Sequence, residues 1–243
     1  MQDRTAKLKK MKLLQKLYSK AVYLNYRNIS GLLERNPGAA LLDLGCDNGE
    51  ITMRMARKIR TKNIIGVDIV TDRIKIAKKK GINTIESDLN LELPIASKTV
   101  SVVLANQVIE HVGDVDLFLG EIYRVLKPGG YAIISTENAS SWCNILALIL
   151  GWQMFSLTNV SSKTLGVGNP LAFHRDEKIT LNSWKHKTIF SYLGLIEFVE
   201  AWGFEVEAVR GAGYFPLAAA FGNIDKRHCH FITIKIRKPD NKL

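Results

Sequence analysis

Residues 39–59 leave this chain few folds to choose from. Ala39 to Leu44 is a short apolar run broken by one acid, Asp43. Gly45-Cys46-Asp47-Asn48-Gly49-Glu50 follows, and Ile51 to Ile59 then reads as a helix. A near-continuous apolar strand suits a parallel sheet covered on both faces. Glycines at the strand exit permit positive φ and let a ligand come close to the backbone. The unpaired N–H groups in the first turn of the next helix face that ligand. Strand, turn and helix together make a nucleotide-type binding turn.

The turn does not suit a dinucleotide. That fingerprint needs glycine at its first, third and sixth positions, which here hold Gly45, Asp47 and Glu50. A carboxylate at the middle position repels a pyrophosphate, and Glu50 is too large for close helix–strand packing. The Gly-Lys-Ser/Thr of a phosphate-cradling loop is absent from the sequence. The expected ligand is therefore a nucleoside without phosphates. A positive charge on it would be drawn to Asp43 and Asp47.

Asn63 to Ile69 reads as a second buried strand. It ends in Asp68, roughly twenty residues downstream, where a ribose-binding carboxylate belongs. Asp43-x-Gly45-x-x-x-Gly49 and Gly66-Val67-Asp68 are followed in order by Glu86-Ser87-Asp88-Leu89 and by Leu104-Ala105-Asn106-Gln107-Val108-Ile109-Glu110-His111-Val112. Leu117 to Gly130 closes the series with Glu121-Ile122-Tyr123-Arg124-Val125-Leu126-Lys127-Pro128-Gly129-Gly130. Across residues 38–137 this order resembles the class I S-adenosylmethionine-dependent methyltransferase family, of the small-molecule type. One position departs from it: Asp47 stands where the family usually has a middle glycine.

The resemblance implies an α/β fold, a doubly wound and mostly parallel seven-stranded sheet, with S-adenosyl-L-methionine as cofactor. It implies cofactor contacts from Asp43, Gly45, Cys46, Asp47 and Gly49, the two glycines lying against the methionine part. Asp68 accepts from both ribose hydroxyls, or else merely caps a helix at a strand end. Asp88, beside Ser87, accepts from the adenine amino group, or else is an ordinary turn residue. Leu89 or Ile69 sandwiches the ring, and Asn106 and Gln107 lie beneath the sulfonium. Glu110 and His111 open a segment that faces the substrate in relatives. His111 is the candidate general base, since imidazole titrates near neutrality; a structural hydrogen-bonding role is the alternative.

Strands near 39–44, 64–69, 82–86, 99–105 and 131–137 alternate with helices near 49–60, 71–80 and 114–126. Such alternation implies right-handed crossovers, with ligands outside the carboxyl ends of the strands. Ser141 to Phe155 reads as an inserted helix after the fifth strand, too short for the roughly 20 residues a bilayer requires. Residues 156–187 are loop-rich, and His174 and Arg175 are candidates for acceptor binding there. Thr188 to Trp202 is helical in period, stopped by Gly203. Phe204 to Arg210 and His230 to Arg237 make a final hairpin, the alternation in 231–237 suiting a sheet edge. Tyr214 and Phe215 either complete the pocket wall or pack in a core. At 243 residues a single methyltransferase domain is expected: helical cap 1–36, cofactor core 38–137, insertion 138–187 on the substrate side, and helix with hairpin 188–243.

Composition narrows the setting. Hydrophobic content of 47% suffices for a core, and the three cysteines lack metal-ligand spacing, so no metal site is expected and a reducing compartment is. No signal peptide is evident, and a cytoplasmic location follows, with peripheral membrane contact open. Leu13, Leu17, Ala21 and Leu24 share one helical face beside Lys7, Lys9, Lys10, Lys12, Lys16 and Lys20. That helix covers the pocket, docks on an anionic membrane, or meets nucleic acid. The net charge of +11 keeps an RNA substrate as the alternative. Asn106-Gln107-Val108-Ile109 lacks the Pro-Pro-aromatic run of amino-directed base methyltransferases, and no cysteine follows a proline as cytosine-C5 enzymes require. The preferred partner is a small-molecule or lipid-linked acceptor, with monomer and homodimer both open. A non-catalytic cofactor-binding module is the second class of reading.

Overall fold

The computed structural model describes residues 2–172, 174, 175, 177 and 182–240, with backbone alone for residues 2–14 and 182. The elements run α1 (Gln2–Leu32), β1 (Ala40–Leu44), α2 (Glu50–Ile59), β2 (Asn63–Asp68), α3 (Thr71–Lys79), β3 (Asn83–Glu86), β4 (Val100–Asn106), α4 (Val115–Val125), β5 (Leu126–Glu137), α5 (Trp142–Ile149), α6 (Tyr192–Ala201), β6 (Glu205–Ala212) and β7 (Phe231–Arg237). The strands form a seven-stranded sheet in the order β3-β2-β1-β4-β5-β7-β6. The chain divides into two compact units. The first comprises residues 1–28, 137–193 and 210–232; the second comprises 29–136, 194–209 and 233–243.

The second unit holds most of the sheet. β1 pairs in parallel with β2 on one side and β4 on the other, and β2–β3 and β4–β5 are parallel too. β1 is buried along its whole length, as a central strand covered on both faces must be. α2 buries Thr52, Met55, Ala56 and Ile59, a stripe at i, i+3, i+4 and i+7. Asp114 starts α4 by accepting the Leu117 N–H at 2.9 Å, which satisfies one orphan donor of the first turn.

β7 is not an edge strand. It lies between β5 and β6 and is buried from Phe231 to Ile236. Gly129 N–H donates to Lys238 O and Lys238 N–H to Gly130 O, while Thr233 Oγ1 donates to Ser135 Oγ at 3.2 Å, so β7 runs antiparallel to β5. Its polar residues look like a solvent-facing set in sequence but are paired inside. Lys235 reaches Glu34 and, at 2.8 Å, Glu207, and Arg237 engages the same two acids. Buried charge is tolerated only when paired in this way. The edge is β6.

In the first unit Ala21 packs with Ala212, Ala219 and Phe231, flanked by Tyr18, Val22, Leu24 and Phe215. α1 is one helix, and its buried stripe is Ala21, Asn25, Ile29 and Leu32, with Leu17 and Leu24 half-buried. The side chains of Lys7, Lys9, Lys10, Lys12 and Leu13 lie outside the described residues. α5 ends at Ile149, well before Phe155, because Gly151 turns to φ +70° and Trp152 N–H closes back on Ala147 O. Among the described residues no helix is long and apolar enough to cross a membrane.

Gly66, within β2, exposes how tightly β1 and β2 meet: a Cβ there would lie 2.8 Å from Cys46 Sγ and 3.0 Å from Ile82 Cγ2. Gly66→Ala is expected to lower unfolding free energy in urea by about 1–3 kcal/mol through overpacking. An unchanged midpoint would show that the turn after β1 can yield.

Candidate functional site

The site is built in the second unit, at the carboxyl ends of β1, β2, β3 and β4. Gly45 N–H and Cys46 N–H both donate to Val67 O at 2.8 and 3.0 Å, anchoring the turn after β1 to β2. Three turn residues then take positive φ: Gly45 (+71°), Asp47 (+46°) and Gly49 (+76°). Asp is among the few side chains that tolerate this region, so the turn holds a left-handed backbone at this position without glycine. A Cβ on Gly45 would lie 2.6 Å from Val108 Cγ2, and one on Gly49 2.4 Å from Ile82 Cδ1. Both glycines are thus required by the protein's own packing. Glu50 N–H is taken by Asn48 Oδ1 at 2.9 Å.

Asp68 is the hub of the rim. Its Oδ2 accepts the Asp47 N–H at 2.8 Å and its Oδ1 the Val70 N–H at 2.9 Å. The second bond stands just before α3, close to the helix-capping alternative. A carboxylate offers about four lone-pair directions, and these two bonds leave room for further donors. The Asp47 side chain turns away to Arg73, with Nε and Oδ1 3.2 Å apart, so its contribution to the rim is its backbone. Ile69, next along, is a large apolar side chain left exposed.

Asp43 is buried under the turn and accepts the Thr52 hydroxyl at 2.5 Å. Burial pushes its carboxyl up to about 7; the Thr52 bond opposes this and the nearby Asp68 charge adds to it. Burial likewise pushes the Cys46 thiol up to about 12. Ser87 N–H donates to Asp68 O at 3.0 Å. Asp88 Oδ1 accepts both the backbone and the side-chain N–H of Asn90, at 2.9 and 2.6 Å, a local turn of the kind its alternative reading named. Asn90 Oδ1 in turn accepts the Gly113 N–H at 2.6 Å. Leu89 is half-buried beside it.

Asn106 closes β4, half-buried and opposite Ser135. Gln107 sits at φ +57°, its backbone N–H donating to Ser135 O at 2.7 Å and its side chain to Ser135 Oγ at 3.4 Å. A single helical turn follows at Ile109–His111. Glu110 within it is buried and accepts the Thr136 hydroxyl at 2.9 Å. His111 is half-buried, its backbone N–H on Val108 O. The twelve residues expected at the cofactor and His111 therefore all belong to one unit.

His174, Arg175 and Tyr214 belong to the other. His174 Nδ1 lies 3.1 Å from Glu177, Arg175 donates to the carbonyls of Gly166 and Asn169, and Tyr214 OH donates to Asp225 while accepting from Trp142 Nε1. Each is held by its own surroundings.

The sequence reading passed over two features. Thr52 is one: a polar residue on the buried stripe of α2 is a legible sign that something under the turn needs a partner. The other is a cluster in the first unit for which no spacing gave notice. Cys143 Sγ lies 3.6 Å from His230 Nδ1 and 3.3 Å from Ser141 Oγ. His230 Nε2 is buried without a hydrogen-bond partner, 4.0 Å from Glu137, which also lies 4.0 Å from His186. Burial would raise the Cys143 thiol, but the His230 and Ser141 contacts outweigh it and hold the thiol below its usual value. Burial opposes protonation of His230, yet Cys143 and Glu137 raise its pKa. Burial pushes the Cys229 thiol up to about 12.

Residues 42–134 match the family model described as a methyltransferase domain. The chain is 37% identical over 120 residues to the ubiquinone biosynthesis O-methyltransferase of Brucella anthropi, covering 46% of each chain. It is 27% identical over 190 residues to the mitochondrial ubiquinone biosynthesis O-methyltransferase of Rattus norvegicus, covering 74% of this chain and 48% of that one. The chain thus spans about half the length of these relatives. A solved S-adenosylmethionine-dependent methyltransferase from Thermotoga maritima superposes over 91% of both chains with a TM-score of 0.59 at 20% identity, a likeness of fold.

Two measurements probe this chemistry. Folded Asp43 keeps its proton up to about pH 7, whereas the unfolded carboxyl loses it near 3.8. Between those values the folded state binds the extra proton, so its contribution to stability falls as pH rises and levels off above about 7. The urea stability of the wild type relative to Asp43→Asn is expected to drop by up to about 4 kcal/mol across that window; a flat difference would place the Asp43 carboxyl at an ordinary value. Second, iodoacetamide near neutral pH is expected to label Cys143 well before Cys46 or Cys229, since the thiolate is the nucleophile. His230→Ala should slow that labelling about tenfold, and equal labelling of all three thiols would dissolve the proposed pairing.

Proposed function

We propose that this chain is a class I S-adenosylmethionine-dependent methyltransferase, a reading supported by the methyltransferase-domain match over residues 42–134 and the likeness of fold, and that it transfers a methyl group to a small-molecule or lipid-linked acceptor, on oxygen, nitrogen or carbon. The observation that carries the reading is the chemistry of the rim. The carboxyls of Asp68 and Asp88, with the Asp47 backbone and the buried Asp43 beneath the turn, make an acidic site rich in hydrogen-bond acceptors. A ribose diol and an exocyclic amine donate hydrogen bonds, and a sulfonium or an ammonium is attracted. A diphosphate would be repelled. The residues present therefore fit S-adenosyl-L-methionine, which when bound supplies an electrophilic methyl on an excellent leaving group.

The chain's own part is positioning. Asp68 accepts the ribose hydroxyls on lone pairs left beside its two backbone bonds. Asp88, oriented by Asn90, accepts the adenine amino group, with Ser87 alongside and Ile69 and Leu89 against the ring. Gly45, Cys46, Asp47 and Gly49 form the backbone wall for the methionine part, and Asn106 and Gln107 the floor beneath the sulfonium. Holding a nucleophile in line with the methyl carbon supplies most of the catalysis required. In this reading His111 takes the acceptor's proton, and His174, Arg175 and Tyr214 serve the acceptor side. The whole chain works as one methyltransferase domain in a cytoplasmic setting, in keeping with its three free cysteines.

Isothermal titration is expected to show binding of both S-adenosylmethionine and its demethylated product, roughly in the micromolar range common for enzyme ligands. Asp68→Ala should weaken both by about 2 kcal/mol, close to thirtyfold, through loss of a charge-assisted pair. A melting scan of the variant separates this from damage to the turn. Affinity unchanged in a folded variant would remove Asp68 from the ribose. Incubating extracts with methyl-labelled cofactor identifies the acceptor; labelled RNA would favour the alternative substrate, and binding without any transfer would favour a non-catalytic module.

A further inference from the structure

α5 is built inside out. Its buried positions are Asn144 and Ala147, while Trp142, Leu146, Leu148 and Ile149 are exposed, Ile149 by 75%. The Asn144 amide explains the inversion: it donates to Asn138 O and to Ser156 Oγ, both at 2.9 Å, and accepts the Ser156 N–H. A buried amide has to be satisfied, so the polar side of this helix is committed inward and the aliphatic side is left out. The apolar surface continues beyond the helix. Trp142 stacks on His228 at 4.4 Å and donates to Tyr214, whose ring lies 6.2 Å from Phe221. Phe221 is exposed, and Ile224, one turn on, is 80% exposed. Among the described residues, fourteen of the seventeen exposed large apolar side chains lie in the first unit and only Ile69, Ile76 and Leu91 in the second.

Charge divides along the same line. The first unit carries sixteen lysines and arginines against five acids, and the second eighteen against eighteen. All of the +11 net charge therefore resides on the unit that exposes the apolar helix. Arg227 is exposed next to the apolar stretch, its carbonyl bonded by Asn138 and Ser140 just ahead of α5. Lys163 and Lys187 are exposed in the same unit. Contiguous apolar patches of this kind mark interaction surfaces.

We propose that this face rests on an anionic lipid bilayer, with the α5 side chains entering the headgroup–acyl boundary and the cations of the same unit meeting lipid phosphates. An interfacial helix needs that pairing of greasy side chains with basic ones, and an anionic leaflet attracts each nearby cation within a Debye length. A second copy is the poorer occupant, because symmetric pairing brings together two units that each carry a large excess of cations. RNA would answer the charge but leave the leucines in water. Docking is separate from methyl transfer, so its failure would leave the proposed activity standing; its success would place the chain where a lipid-linked acceptor is found.

Flotation of the full chain with vesicles tests the surface, using phosphatidylcholine alone and phosphatidylcholine mixed with phosphatidylglycerol. The wild type is expected to bind the mixed vesicles at least about tenfold better and to come off as salt rises. Leu146→Glu with Ile149→Glu should lower binding by about tenfold or more, with circular dichroism and melting unchanged because both positions are exposed. Lys226→Glu with Arg227→Glu should do the same by reversing charge. The proposal is overturned if the wild type ignores both vesicles, if the α5 variant floats as well as the wild type, or if light scattering shows that the α5 substitutions convert a dimer to a monomer.

Discussion

One carboxylate, Asp68, ties two turns together, and the geometry of the rim depends on it. Its two oxygens accept the amides of Asp47 and Val70, one after β1 and one before α3. Neither amide has a strand or helix partner at that point, and a polar group denied both water and a partner is costly. The bond to Asp47 in turn requires the chain to swing through positive φ at Gly45, Asp47 and Gly49. Glycine allows this because it has no Cβ, and at Gly45 and Gly49 any Cβ would collide with Val108 or Ile82. The tightness of the packing and the shape of the turn are one constraint seen from two sides.

Placing several acids at one edge has an electrostatic cost, and the protein meets it locally. Asp43, out of water and near Asp68, takes up a proton more readily and leans on the Thr52 hydroxyl. Asp47 is neutralised by Arg73 outside the rim. Elsewhere in the same unit, Lys235 and Arg237 are balanced by Glu34 and Glu207. Glu34 and Glu207 are kept below the usual carboxylate range, burial opposing and the two cations prevailing. The second unit carries as many acids as cations, so its charges balance in number. The first unit has an excess of eleven cations, which gives it net charge to offer a partner.

Much of the rim was legible from spacing alone. The strand–turn–helix at residues 39–59, the acid about twenty residues on, and the ordered motifs through Gly130 are local patterns, each generated by nearest-neighbour rules: period, glycine, strand end. β1 to β5 fall within a few residues of their expected spans, the main difference being that β5 begins at Leu126, ahead of its Pro-Gly-Gly. Asp68 and Asp88 also stand where a strand end must put them. What local rules could not supply was the partner of each group: that Asp47 would face Arg73, or that Asp88 would be engaged with Asn90.

By itself, then, the sequence determined the alternating elements, the doubly wound sheet and the acidic edge, because hydrophobic period and turn chemistry are written in consecutive residues. Tertiary structure alone decided three things. It buried β7, whose alternating Thr and Lys resembled an edge until Ser135, Glu34 and Glu207 arrived from distant segments to pair them. It turned α5 outward, because a single amide, Asn144, found its partners inside. And it brought His230 to Glu137 and Cys143 from a stretch about ninety residues away. In each case a polar group's energy depends on who is beside it in space, and nothing in its immediate neighbours along the chain records that.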